Sequence, residues 1–196
     1  MPTPEYQRFL ASMTIGYEQW HDGIGYDLDA LATMPPEGDE RAQIEAILLT
    51  HLHTSSDWRD VEALAALGTE TATAAVQAAT KHHNPEVRRK ALNSLMDPGT
   101  RTPEELEDLT VRCIELGDLT SAIEHNTPRV KRAVLDRARL ADTVGRVHAA
   151  AMLFYLCGLT AEPFDWSQRT FFSRFGTGDM AELRAAWAEL RARTGI

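Results

Sequence analysis

Two ten-residue stretches decide how this chain reads: His83-Asn-Pro-Glu-Val-Arg-Arg-Lys-Ala-Leu92 and Asn126-Thr-Pro-Arg-Val-Lys-Arg-Ala-Val-Leu135. Pro85 and Pro128 lie 43 residues apart, as do Val87 and Val130, and Ala91 and Ala133 fall within one position of that spacing. Each copy sets a short polar residue, Asn84 or Thr127, before its proline. That order suits a helix start, because the side-chain oxygen caps an unpaired backbone N–H and proline stands where its missing N–H costs nothing. The valine then turns inward. Further helical stretches precede the two copies, over residues 69–82 and, more briefly, 121–125. Helix pairs at such a period belong to the helical-solenoid class, whose repeats bury their apolar faces only by stacking.

Outward from the repeat, helical signals recur from about residue 28 and no segment alternates like a strand. A first short helix forms around residues 27–32 and is stopped by Pro35-Pro36. The next is predicted over 40–53, with Ile44, Ile47, Leu48 and His51 on one face. Asp57 caps a third, with Trp58, Val61 and Ala65 in its stripe, and Gly68-Thr69 separates it from a fourth over 70–82. Residues 161–176 carry five aromatics without helical period; a last helix from about residue 179 spaces Met180, Leu183, Trp187 and Leu190 by threes and fours. Solenoids need terminal caps over the open face of the last repeat, and this aromatic loop with its helix is read as one rather than as a ligand pocket. The predicted organisation is a single domain: residues 1–12 an extension without inferred role (Met13 being a natural first residue), 13–56 an acidic cap with the first helices, 57–157 the repeats, and 158–196 the aromatic cap.

Composition bounds the function. Apolar residues at 43% and charged residues at 25% give a globular mix with a real core. The longest apolar run, residues 149–158, is too short to span a bilayer, and the first residues lack a secretory signal. Cys113 and Cys157 offer neither a disulfide framework nor ligand spacing, so a reduced, cytoplasmic protein is expected. The net charge is −9. Residues 1–60 hold 11 acids against Arg8, Arg41 and Arg59, so most of that charge sits at one end, which favours basic partners and repels nucleic acid.

Motifs for chemistry are missing. His51 and His53 point to different sides of a helix, His82 and His83 are adjacent without a following acid, and no Cys-x-x-Cys or His-Glu-x-x-His occurs. His51, on an apolar face, is read as a hydrogen-bonded core residue. Gly16, Gly23 and Gly25 have the spacing of no phosphate loop, and no nucleophile elbow is present. No metal, cofactor or catalytic residue is therefore expected.

Asn84-Pro-Glu-Val-Arg-Arg-Lys-Ala resembles the opening of the second helix of HEAT-like repeats, over roughly residues 57–157. The resemblance implies an all-α HEAT-like helical-hairpin solenoid. Through Trp20-His-Asp-Gly-Ile-Gly-Tyr-Asp-Leu-Asp-Ala-Leu31, Asp57-Trp-Arg-Asp-Val-Glu-Ala-Leu-Ala-Ala-Leu67 and Pro163-Phe-Asp-Trp166, the chain also resembles small bacterial HEAT-like immunity proteins of polymorphic toxin systems. That style implies binding of a protein partner, a basic toxin or effector domain, with no nucleic acid or membrane involved. Candidate partner-binding residues are Trp20, Asp22, Tyr26, Asp27, Asp29, Glu37, Asp39, Glu40, Asp57 and Asp60. Reversing Asp22, Asp27 and Asp29 together should then slow association and leave thermal stability almost unchanged. Some HEAT-like proteins act on DNA through basic stripes, so Arg88, Arg89, Lys90, Arg129, Lys131 and Arg132 form an alternative nucleic-acid surface. Against it, those bases can pair with acids of neighbouring helices such as Glu86, Glu124 and Asp136. A general scaffold with several partners is a further alternative. The loop 15–27 reads first as a structural cap, next as a partner-binding loop, and last as a catalytic one.

Overall fold

The structure, a computed structural model, describes residues 1–14, 24–36, 38–97 and 99–196. Among the described residues it is all-α, with eleven α-helices and no strand, and none of these helices is long and apolar enough to cross a membrane. The chain divides into two compact units, Met1–Leu95 and Met96–Ile196. Their boundary falls inside the segment read from the sequence as one repeat array.

The N-terminal unit contains α1 (Pro4–Ser12), α2 (Leu28–Thr33), α3 (Asp39–Ser55), α4 (Trp58–Leu67), α5 (Glu70–Ala79) and α6 (Pro85–Ser94). Consecutive helices pair, α3 with α4 and α5 with α6, and the pairs meet like to like, α3 against α5 and α4 against α6. Ile44, Leu48 and Leu52 of α3 face Val61 and Leu64 of α4 within one core, which Val76, Val87 and Ala91 extend. This places the inward row of α3 at a spacing of four, so Ile47, expected to face inward, lies exposed. Gly68 ends α4 in the left-handed region, at φ 67°, where a side chain is unfavourable.

Residues 1–12 are an integral part of this unit. Thr3 caps α1 ahead of Pro4, the same device as in the two repeat copies. Phe9 is fully buried, edge-on to Tyr26 with ring centroids 5.8 Å apart. Arg8 pairs with Asp27 at 2.8 Å, the Thr3 N–H donates to Glu40 at 2.8 Å, and the Tyr6 hydroxyl donates to Gln43 at 3.1 Å.

The C-terminal unit contains α7 (Pro103–Glu115), α8 (Pro128–Leu140), α9 (Thr143–Leu156), α10 (Arg169–Ser173) and α11 (Met180–Thr194), with 3-10 turns at Thr120–Ile123, Trp166–Gln168 and Arg174–Gly176. The short helix expected at 121–125 is only such a turn. The preceding helix that packs on α8 is α7, whose start is a full capping box between Thr102 and Glu105. Helix α9 is buried along residues 149–154 and packs on α8 and α10. The aromatic segment closes over it: Phe171 and Phe172 sit 5.0 and 5.2 Å from Phe154, and Phe175 meets Trp187 of α11 edge-on at 5.0 Å.

Because Phe9 fills a closed site, Phe9→Ala should destabilise the full-length chain by about 3–5 kcal/mol. Urea unfolding reads this directly; a change below about 1 kcal/mol would return residues 1–12 to the status of an appendage.

Candidate functional site

The candidate partner-binding residues separate into distinct environments. Trp20, Asp22 and Glu37 lie outside the described residues. Asp29 and Asp39 are exposed in the first turns of α2 and α3, with no ion pair among the described residues. Asp27 caps α2 by accepting the Ala30 N–H at 2.8 Å and also holds Arg8, and these contacts keep its carboxyl below the usual range. Reversing Asp27 therefore removes a helix cap, which alters the expectation that stability would be indifferent to the triple charge reversal. Glu40 is bound to Thr3, whose hydrogen bonds likewise hold its carboxyl low.

Tyr26, Asp57 and Asp60 form an interior network instead. Asp57 caps α4 through the Arg59 N–H at 2.9 Å and accepts from Arg59 Nε at 2.9 Å, and both side chains are largely buried. The guanidinium so fixed lies over the Tyr26 ring, 4.9 Å from its centroid. Arg59 Nη1 is buried without a hydrogen-bond partner among the described residues. Asp60, with a fully buried side chain, accepts from the Tyr26 hydroxyl at 2.9 Å and contacts His51 Nδ1 at 2.9 Å. Burial raises the Asp60 carboxyl, against the opposing pull of His51 and Tyr26; burial and then the Asp60 charge raise the Tyr26 phenol. His51 is thus hydrogen-bonded as expected, but its side chain remains 38% exposed. One carboxylate ties α3, α4 and the segment before α2 together, leaving Tyr26 and Asp60 no surface with which to touch a partner.

The alternative basic stripe is divided between the two units, with Arg88, Arg89 and Lys90 in one and Arg129, Lys131 and Arg132 in the other. Lys90 pairs with Glu62 at 2.6 Å and lies over the Trp58 ring; Arg88 donates to the His82 and His83 carbonyls at 2.6 and 2.8 Å. Arg129 is held by Glu107 and Asp108, and these pairs raise its guanidinium's affinity for its proton. Arg89 and Arg132 are exposed, and Lys131 is half-buried. Of the acids proposed as neutralising partners, Asp136 pairs with Arg139 at 2.8 Å. The other pairings come from Glu62, Glu107 and Asp108, which only the packing brings within reach.

The C-terminal unit holds a concave site where the sequence predicts an end cap. A cleft of about 540 Å³ has Val147, Ala151 and Phe172 among its lining, with Phe164, Trp166 and Arg169 beside them. While Phe171, Phe172 and Phe175 are buried, Phe164 is 49% and Trp166 76% exposed. The turn that displays them is set by Asp165, which accepts the Ser167 N–H at 2.8 Å, holding its own carboxyl low. Arg169 lies over Trp166 at 5.1 Å, and His148 meets Phe164 edge-on at 5.2 Å. The available sequence signal was Trp166 and Arg169 three residues apart beside a capping aspartate; count of aromatics alone could not separate displayed rings from buried ones. Among the described residues no group of three or more His, Cys, Asp or Glu side chains is placed to hold a metal ion.

No protein-family model, curated protein or solved structure matches this chain.

The Asp60 network makes a signed prediction. A carboxyl whose folded value is raised contributes stability that is fully present below the unfolded value of 3.8 and is lost as pH rises through the folded value. Wild-type stability measured against Asp60→Asn should therefore decline as pH rises from 3.8 towards neutrality. A difference independent of pH in urea unfolding would mean that the buried carboxyl titrates as it does in the unfolded chain.

Proposed function

We propose that this chain is a HEAT-like, non-catalytic protein-binding module that neutralises a basic partner, as an immunity protein does its toxin. The observation that carries the reading is the charge distribution. The N-terminal unit, residues 1–95, has 14 acids and 7 bases, a net charge of −7 out of −9. Its exposed Asp29 and Asp39 have no ion pair among the described residues, so their field reaches solvent. Electrostatic complementarity of this kind raises association rates more than it raises final affinity. The contacts of α3 with α5 and of α4 with both α5 and α6 support the solenoid reading, since adjoining helical hairpins are its unit. The aromatic segment over α9 supports the reading of an end cap. Pairing of Lys90 and Arg129 with acids disfavours the nucleic-acid alternative.

Co-expression with the product of the adjacent gene tests the proposal, because an immunity protein is normally encoded beside its toxin. A stoichiometric complex and relief of that product's toxicity are the expected results; neither appearing would end the immunity reading. The charge argument has its own test, in which Asp27 is spared for its capping role. Asp29→Lys with Asp39→Lys should slow association about tenfold at ~50 mM salt and much less at ~0.5 M, where charges are screened beyond a few ångströms. An unchanged rate at low salt would move the interface away from these acids.

A further inference from the structure

We propose that the cleft of the C-terminal unit binds a small aromatic carboxylate, its rings lying against Trp166 over the apolar floor and its anionic group meeting Arg169. The site does not depend on the protein-binding reading. A volume of about 540 Å³ lies in the range of small-molecule sites, which combine an apolar lining with a few convergent polar groups. The floor supplies Val147, Ala151 and Phe172, with no charge among them.

Trp166 and Phe164 give the second argument. Both belong to the segment whose Phe171, Phe172 and Phe175 enter the core, yet they remain open to solvent beside the cleft. Arg169 covers part of Trp166 and His148 meets Phe164 edge-on, yet both rings keep much of their surface open. A flat aromatic molecule covers the open part of Trp166 by stacking and gains the offset geometry that ring pairs prefer.

The charge preference follows from the two ionised groups beside the cleft, which are differently engaged. The Asp165 carboxylate is directed at the Ser167 N–H at 2.8 Å, where it caps the 3-10 turn. The Arg169 guanidinium lies over the Trp166 face, 5.1 Å from its centroid, and has no acid partner among the described residues. A stacked guanidinium keeps its in-plane N–H donors available, and their fork matches a carboxylate. The cation is therefore available to a ligand, while one oxygen of the anion is engaged by the backbone.

Three probes of one shape separate the contributions: 2-naphthoate, 2-naphthalenemethanol and 2-naphthylmethylammonium, titrated against the full chain by ligand-observed NMR. The acid should bind about tenfold more tightly than the alcohol, the gain expected of one charge-assisted contact. Arg169→Gln should bring the acid to the level of the alcohol and leave the alcohol unchanged, with Arg169→Lys restoring part of the difference. Trp166→Ala should weaken both. Trp166 and Arg169 are exposed, so all three variants should keep the wild-type far-ultraviolet circular dichroism. Equal binding of acid and alcohol, preference for the ammonium, indifference to Trp166→Ala, or no binding of the acid at ~1 mM would each overturn the proposal.

Discussion

A helix of about ten residues leaves its first four N–H groups without partners inside the helix, so a chain built from such helices must satisfy many donors locally. That constraint runs through this structure. Among the described residues, nine of the eleven α-helices start on a side-chain cap, from Thr3, Asp27, Asp57, Thr69, Asn84, Thr102, Thr127, Asp142 or Asp179. Four of the caps precede a proline at the first helical position, at Pro4, Pro85, Pro103 and Pro128. Short helices are unstable alone, so each capped start matters only because the following turns deliver an apolar face to a neighbour.

The same economy of polar groups explains the interior of the N-terminal unit. Asp57 serves both as cap of α4 and as anchor of Arg59, and the next residue, Asp60, turns inward to join His51 and Tyr26. Burying a carboxylate is costly unless several donors meet it, and here they come from separate segments. The network therefore fixes where the segment before α2 lies on the α3–α4 pair. It also removes from the surface acids that contribute to the net charge, so the outward field of this unit comes from a smaller set that includes Asp29, Asp39, Glu70 and Glu86.

In the C-terminal unit the aromatic residues divide in two. Phe171, Phe172 and Phe175 close the apolar face of α9 and join Trp187 of α11. Phe164 and Trp166 stay outside, Trp166 as the first residue of the Asp165-capped turn that precedes the buried phenylalanines. One segment thereby seals a core and lines a cleft, with Arg169 stacked at its side.

Sequence alone determined the all-helical class and most helix starts, because capping and proline placement act over three or four residues and are written in adjacent letters. Thr3-Pro4 and Thr102-Pro103 carry that signature as plainly as Asn84-Pro85 and mark the starts of α1 and α7, which lie outside the 43-residue period. The capping role of Asp57 was legible beside Trp58, but its hold on Arg59 and the burial of Asp60 were not. Asp60 looks like a surface acid in a charged stretch, and only donors 9 and 34 residues away, His51 and Tyr26, make its burial tolerable. The division between Phe172 and Trp166, the pairing of Arg129 with Glu107, and the cleft itself were likewise decided by tertiary packing. Caps depend on neighbours along the chain; burial and charge pairing depend on neighbours in space, which the chain specifies only once it has folded.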